Sequence, residues 1–377
     1  MVFKGCNAAP KRNLPLLVDR LQVGKTALGK KTRSSPGGRS IPGLAEIGLG
    51  CSTAWLLPGR IRLLPPDIHS PCAKPSGFDR LRIRVLMRTL FFDWGTTNLR
   101  AYLWERDRVT RTHTASTGLR EGREIGFAKV VMDVLSHFKL PKETRIRITG
   151  MAGSRNGWKE VPYASTPAGA HEIGKNSVRV ESFPDLKIVS GLVHESEGGE
   201  RDVMRGEDVQ ALGLNAMFPQ AEVICLPGTH SKWVVVRDEE IQSFSTWMTG
   251  DLFRCVSERS IFQEQISNSA FNEAAFLKGV TAAKTAGHLL NSLFHLRADY
   301  LFEKTCSETF HSYLSGFLIG HEVKEAGRGC SEIFLCGSEE LMTPYAGAMK
   351  RFGISPKKVS AEEATVRGLF KLSEEIT

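Results

Sequence analysis

The chain has 377 residues, 41% of them hydrophobic, which is enough for two ordinary cores and unlike disordered, collagenous or disulfide-framework compositions. No apolar run reaches the roughly 18 residues of a membrane helix, and the eight Cys include no C-x-x-C pair, which argues against zinc ribbons and thioredoxin-like redox work. The net charge of +9 would suggest nucleic acid if it were spread over the fold, but residues 1–86 carry 15 Lys+Arg against 4 Asp+Glu, leaving 35 against 37 for residues 87–377.

The basic segment 1–86 also holds 9 of the 17 Pro and shows no sustained period of 2 or 3.6, so it reads as a leader outside the fold. Its Gly24-Lys25-Thr26 lacks the glycine that a P-loop needs five residues earlier, where Asp19 stands. No apolar h-region follows the basic start, as a signal peptide would require. Met87 immediately precedes the first convincing strand and reads as the true start, with a disordered basic tail as the alternative.

From Thr89 the pattern is α/β with antiparallel hairpins. Leu90–Phe92 predicts a strand, Asp93-Trp94-Gly95-Thr96-Thr97-Asn98 a turn, and Leu99, Ala101 and Leu103 alternate with Arg100, Tyr102 and Trp104 as a half-buried strand. A turn at Arg106–Arg108 and a strand over Val109–Thr114 complete a three-strand meander. Phe127, Val130, Val131, Val134 and Phe138 share one helical face, and Pro141 ends that helix. The strand Arg145–Thr149 runs into the glycine-bearing loop Gly150–Tyr163. A short strand at Lys187–Gly191 precedes Met204-Arg205-Gly206-Glu207-Asp208, which opens a helix. A second meander then repeats the order of the first: strand 222–226, turn 227–232, strand Trp233–Val236, charged turn 237–240 and strand 241–247. Helices are predicted around 251–266 and 310–327, a strand over Ile333–Cys336 ending in Gly337-Ser338, and a helix over 344–352 with Thr343 as N-cap, Pro344 at its first position and Gly353 as C-cap.

Two such Gly-Thr turns can grip a polyphosphate from both sides. In the first, Gly95 lets the backbone offer N–H groups, Thr96, Thr97 and Asn98 add donors, and Asp93 at the strand end suits Mg²⁺. In the second, Gly228 and Thr229 would hold the outer phosphates, while His230 and Lys232 have the commoner fate of solvated turn residues. Gly337 and Ser338, between strand and helix, suit an adenosine. Proton removal from an acceptor hydroxyl needs a carboxylate, and Glu207 or Asp208 stands at a helix start between the two turns, with Glu207 preferred. Ser154, Arg155, Trp158 and Lys159 in the 150–163 loop could read a polar, anionic ligand, Arg by bidentate pairing with a carboxylate and Trp as a flat wall. A Trp that merely anchors the loop is the structural alternative.

Two phosphate-gripping hairpins, a carboxylate between them and a late Gly-Ser resemble the sugar kinase, Hsp70 and actin superfamily. Within it, DWGTTNLRAYLW (93–104), GMAGSRNGWKEVPY (150–163), VMRGEDVQALG (203–213), LPGTHSKWV (226–234), WMTGDLF (247–253) and LSGFLIGHEV (314–323) resemble the 2-dehydro-3-deoxygalactonokinase family of bacterial galactonate breakdown. The resemblance implies two ribonuclease H-like domains, here 87–220 and 221–377, with ATP in the cleft between them and closure about a hinge near 218–222. It implies a cytoplasmic kinase that uses ATP and Mg²⁺ on a small sugar acid, with no nucleic-acid or membrane partner, and it matches Glu207 to the catalytic aspartate of related carbohydrate kinases. A kinase of the gluconate epimer, and a non-catalytic sugar-sensing regulator on the same fold, are the competing expectations.

Overall fold

The computed structural model describes residues 88–263, 266, 270–302 and 306–376, all within one compact unit, so the leader and the reading of Met87 as the start lie outside the described residues. The first half runs through β1 (Thr89–Trp94), β2 (Leu99–Glu105), β3 (Arg108–Ala115), α1 (Leu119–Ile125), α2 (Phe127–Phe138), β4 (Arg145–Gly150), β5 (Ala164–Ser165) and α3 (Ala170–Lys175). It continues with β6 (Val178–Arg179), β7 (Leu186–Ile188), β8 (Leu192–Glu195), β9 (Arg201–Met204) and α4 (Glu207–Met217). The second half contains β10 (Val223–Leu226), β11 (Ser231–Arg237), β12 (Glu240–Trp247), α5 (Thr249–Arg259), α6 (Glu273–Thr285), α7 (Leu289–Leu301) and α8 (Ser307–Ala326). It ends with β13 (Glu332–Gly337), α9 (Glu339–Arg351), β14 (Ser355–Ser360) and α10 (Ala361–Glu375).

Each half is built on one sheet, ordered β3-β2-β1-β4-β7-β6 in the first and β12-β11-β10-β13-β14 in the second. In both, an antiparallel meander supplies three strands and the next two join parallel to its first strand. The likeness extends to single residues. A register shift falls between Leu103 and Trp104 in one meander and between Val235 and Val236 in the other, two residues before the same kind of return turn. Those turns place Arg106 and Asp107 at φ of 53° and 57°, and Asp238 and Glu239 at 51° and 64°, the left-handed pair that matches a two-residue loop to the strands' right-handed twist. The predicted duplication of the meander is thus present, and it reaches the parallel strands that follow.

Burial differs from the half-exposed expectation for β2. Tyr102 and Trp104 are as buried as Leu99, Ala101 and Leu103, because the opposite face of the sheet is covered by α10, whose Phe370 ring lies 4.8 Å from that of Trp104. This face shares a core with α4, α10 and the inner face of the second sheet, while the outer face packs on Phe127, Val130, Val131 and Phe138 of α2, the predicted stripe. Helices α4 and α10 meet at backbone distance: a Cβ on Gly213 would collide with the Ala364 carbonyl, and one on Gly368 with the Val209 carbonyl. The last helix of the chain therefore returns to the first half, and Arg147, buried in β4, donates from Nη2 to the Ile376 carbonyl at 3.3 Å.

One further prediction is corrected. The helix expected over 344–352 starts at Glu339, with Ser338 as N-cap, so Pro344 sits inside it and Thr343 is not its cap. Helices α6 and α7 occupy a stretch for which no element was predicted. No helix among the described residues is long and apolar enough to cross a membrane.

Candidate active site

The first turn leaves the end of β1 open to solvent: Thr96, Thr97 and Asn98 are exposed and the Gly95 N–H closes the loop on the Asn98 carbonyl at 2.8 Å. Beside it, β4 ends at Gly150, whose φ of 87° and proximity to the Trp94 carbonyl leave no room for a side chain. Gly206, at the start of α4, lies against Gly150 in turn. Three backbone ends thus converge, and they carry Asp93 and Glu207 with them.

Burial pushes the Asp93 carboxyl above the usual range; Arg100, with Nη1 at 3.6 Å from Oδ2, opposes this, and the nearby charge of Glu207 raises it further. Glu207 is half-buried, and its Oε2 accepts the Arg205 N–H at 3.1 Å, leaving Oε1 for another partner. Asp208 points elsewhere. It is fully buried, its Oδ1 accepts the Gly206 N–H at 2.6 Å, and its Oδ2 has no partner among the described residues. Burial raises its pKa to about 7, against the lowering effect of the Gly206 and Val209 N–H groups and the Arg205 charge, with Glu207 adding to the rise. Of the two candidate bases, Glu207 shares the electrostatic environment of Asp93 and is reachable, whereas Asp208 is closed in.

The second turn is open as well, with Thr229 and His230 exposed. Its Thr229 carbonyl accepts the Asp251 N–H from α5 at 3.0 Å, and the Pro227 ring lies against Gly337, so the Gly-Thr turn and the exposed Ser338 are neighbours. Behind the turn stands a buried polar network. Glu322 of α8 accepts from Trp233 Nε1 at 2.8 Å and from the Tyr345 hydroxyl at 2.7 Å, and Ser231 lies 2.7 Å from that hydroxyl. Burial raises the Glu322 carboxyl, opposed by donors from Thr249, Tyr345, Trp233 and Ser231. One buried carboxylate thus pins both Ser231 and Thr249, the residues flanking the turn and its α5 neighbour. Sequence reasoning missed Glu322; its only signal was a lone acid, beside His321, in the largely apolar stretch Gly316–Val323.

The 150–163 loop is placed next to the site, but its side chains are partly spoken for. Ser154 Oγ donates to the Met151 carbonyl at 2.8 Å, closing the loop on itself. Trp158 stacks on Phe127 at 5.9 Å and meets Phe183 edge-on at 5.9 Å, which makes it the anchor of the loop. Lys159 Nζ donates to the Arg179 carbonyl at 2.9 Å and to Glu181 at 3.2 Å. Arg155 has an 86% exposed side chain, 3.4 Å from Glu160. A residue that sequence reasoning passed over, Arg205, lies with its guanidinium 4.4 Å over the Tyr163 ring and donates from Nη2 to the Val161 carbonyl at 2.7 Å. Lys232, expected in solvent, is buried. Among the described residues no cluster of three His, Cys, Asp or Glu is arranged to hold a metal by protein ligands alone.

With this geometry the chain can be set beside known proteins. The family described as 2-keto-3-deoxy-galactonokinase matches residues 93–372. A Rhizobium meliloti protein named as a probable 2-dehydro-3-deoxygalactonokinase is 34% identical over 287 residues, covering 74% of this chain and 94% of that protein. The Escherichia coli 2-dehydro-3-deoxygalactonokinase is 30% identical over 292 residues, covering 77% and 98%. A crystal structure from Sinorhizobium meliloti, assigned to a candidate kinase of the same name, superposes with a TM-score of 0.72 at 33% identity, over 76% of this chain and 99% of that one. The matched span contains both Gly-Thr turns, Asp93 and Glu207, and the chain belongs to the 2-keto-3-deoxy-galactonokinase family.

Proposed function

We propose that the protein transfers the terminal phosphoryl group of ATP to the 6-hydroxyl of 2-dehydro-3-deoxy-D-galactonate, as a cytoplasmic enzyme of galactonate breakdown. The observation that carries this reading is the convergence of Asp93 and Glu207 where β1 enters the first turn, in a chain whose second, matching turn lies against Gly337 through Pro227. Gly95, Thr96, Thr97 and Asn98 would bind phosphate oxygens from one side and Gly228 and Thr229 from the other, with the adenosine over Gly337 and Ser338. Asp93 fits a divalent cation: it is a carboxylate raised by burial and by a second negative charge, with Arg100 opposing at 3.6 Å. Mg²⁺ held there with the phosphates would neutralise their charge.

Glu207 would take the hydroxyl proton as the phosphoryl group arrives. Its Oε2 is held by the Arg205 N–H, so the proton would pass to Oε1. Asp208 would fix the first turn of α4 through the Gly206 N–H rather than touch the substrate. On the substrate side, Arg155 is the most exposed side chain of the predicted set, held only by its pair with Glu160 at 3.4 Å, and would meet the acid, with Ser154, Trp158 and Lys159 shaping the loop that presents it. A coupled ADP-release assay with 2-dehydro-3-deoxy-galactonate and its gluconate epimer tests the reading. Preference for the galactonate is expected, and equal or reversed activity overturns the substrate assignment.

A further inference from the structure

The turn that would hold the outer phosphates contains a lysine that faces away from solvent. Lys232 is 6% exposed, and its Nζ donates to the Thr246 hydroxyl at 2.7 Å and to the Val203 carbonyl at 3.2 Å. Thr246 passes the contact on: its hydroxyl donates to Asp202 Oδ1 at 2.5 Å and its N–H donates to Asp202 Oδ2 at 2.6 Å. Ammonium, hydroxyl and carboxylate form one chain in which every member has a partner, as burial of the charges demands.

The ends of that chain matter. Lys232 and Thr246 are direct partners across β11 and β12 in the second half, and Lys232 is three residues from Thr229. Asp202 and Val203 lie on β9 in the first half, in the small sheet β5-β8-β9, and Val203 is four residues before Glu207. The segment between them carries Arg205, which holds Val161 and Tyr163 of the substrate loop. A second tie, the antiparallel bridge between Ala168 and Ile241, joins the same two regions.

We propose that Lys232 is a positioning residue, which together with Thr246 and Asp202 locks the outer-phosphate turn to the strand that delivers Glu207. In-line transfer requires the phosphoryl group and the base to be in register, and the two are carried by different halves of the chain. A misplacement of about 1 Å at such a site can cost about 10²-fold in rate. The clamp rests on the roles given above to Glu207 and to the 228–229 turn.

The test is steady-state kinetics of Lys232→Met, corrected for folded fraction, with wild-type turnover of the preferred epimer as reference. The expected result is a fall in kcat of at least about 10-fold, with KM for ATP and for the sugar acid each within about 3-fold of wild type. Thr246→Val, which removes the hydroxyl at constant shape, should show the same kcat-selective loss. The double variant Lys232→Met/Asp202→Asn should lose at least as much as Lys232→Met alone, because Asp202 still accepts from the Thr246 N–H and hydroxyl after the lysine is gone. Should Lys232→Met fail to fold, Thr246→Val carries the same test. Wild-type kcat in the folded variant overturns the clamp; so does a rise in KM for ATP at unchanged kcat, which would make Lys232 a phosphate ligand instead. A wild-type protein inert with both epimers overturns the functional reading itself, and the clamp with it, which keeps the two failures distinct.

Discussion

The two meanders of this chain share strand order, register shift and return turn, yet what surrounds their open ends differs. At the first, the charge of Glu207 reaches the buried carboxyl of Asp93, and Arg100 is held 3.6 Å from Asp93. At the second, the charge is withdrawn behind the turn: Glu322 is sealed among Trp233, Tyr345, Ser231 and Thr249, and Lys232 is turned inward. On the roles proposed above, the same supersecondary unit would supply reactive groups in one half and a rigid backbone grip in the other. The difference lies in which residue types the covering helices bring, α4 in the first case and α8 in the second.

The largest expected effect strikes at the reactive side. Glu207→Gln keeps the shape of α4's first residue and the acceptor for the Arg205 N–H but cannot take a proton, so kcat should fall by about 10²–10⁴-fold while ATP affinity by equilibrium titration stays near wild type. Retained turnover would reject Glu207 as the base. On the gripping side, Glu322→Gln replaces one of two acceptor oxygens by an amide that must face a donor, Trp233 Nε1 or the Tyr345 hydroxyl. Hydrogen bonds to a charged group contribute about 1.5–3 kcal/mol. KM for ATP should rise by roughly 10-fold or more as the turn loosens, with KM for the sugar acid unchanged; an effect confined to the sugar acid would contradict the division of labour.

A smaller effect sharpens the choice between neighbours on α4. Asp208 titrates at about 7 in the fold and near 4 in an unfolded chain, so the folded state holds a proton that the unfolded state has lost. Its contribution to stability is fully present below about pH 4 and disappears as pH rises through about 7. Asp208→Asn is neutral throughout. The variant should gain stability relative to wild type across that window, by an amount on the order of a few kcal/mol, and the difference should be flat above pH 8. Thermal melts of both proteins from pH 4.5 to 8.5 measure this; parallel curves would mean that the buried carboxyl is not perturbed. If Asp208→Asn instead abolished turnover while leaving the melts parallel, the base would have to be reassigned to it.

Much of the frame was legible in the sequence because it depends on local pattern. The α2 stripe and both hairpins were readable from alternation and spacing, and the Gly-Thr turns from glycine placement. What was not legible depends on partners distant in the chain. Tyr102 and Trp104 alternate like solvent-facing positions, and only the return of α10, some 260 residues later, buries them. Pro344 reads as a helix start, yet the helix begins at Glu339 with Ser338 in the N-cap position, and Thr343 and Lys358 both bond to Glu339. Lys232 looks like any turn lysine until β9 supplies Val203 and Asp202. The two- to four-residue strands β5, β8 and β9 carry too few residues for any period to show.

The smallest expected effects fall on the substrate loop, where anchor and reader can be separated. Trp158 is wedged between Phe127 and Phe183, so Trp158→Phe should cost stability, about 1–3 kcal/mol, with KM for the sugar acid within about 2-fold of wild type. Arg155 is exposed and its contact with Glu160 is long, so Arg155→Ala should change stability by less than about 1 kcal/mol. If it reads the carboxylate, KM for the sugar acid should rise by about 5–10-fold, in line with loss of one solvent-screened charged contact. The two variants then move different observables in opposite proportion. A rise in KM on Trp158→Phe without loss of stability would place the indole against the substrate and return the wall role to it, whereas a silent Arg155→Ala would move recognition of the acid to Arg205 and the backbone of the 150–163 loop.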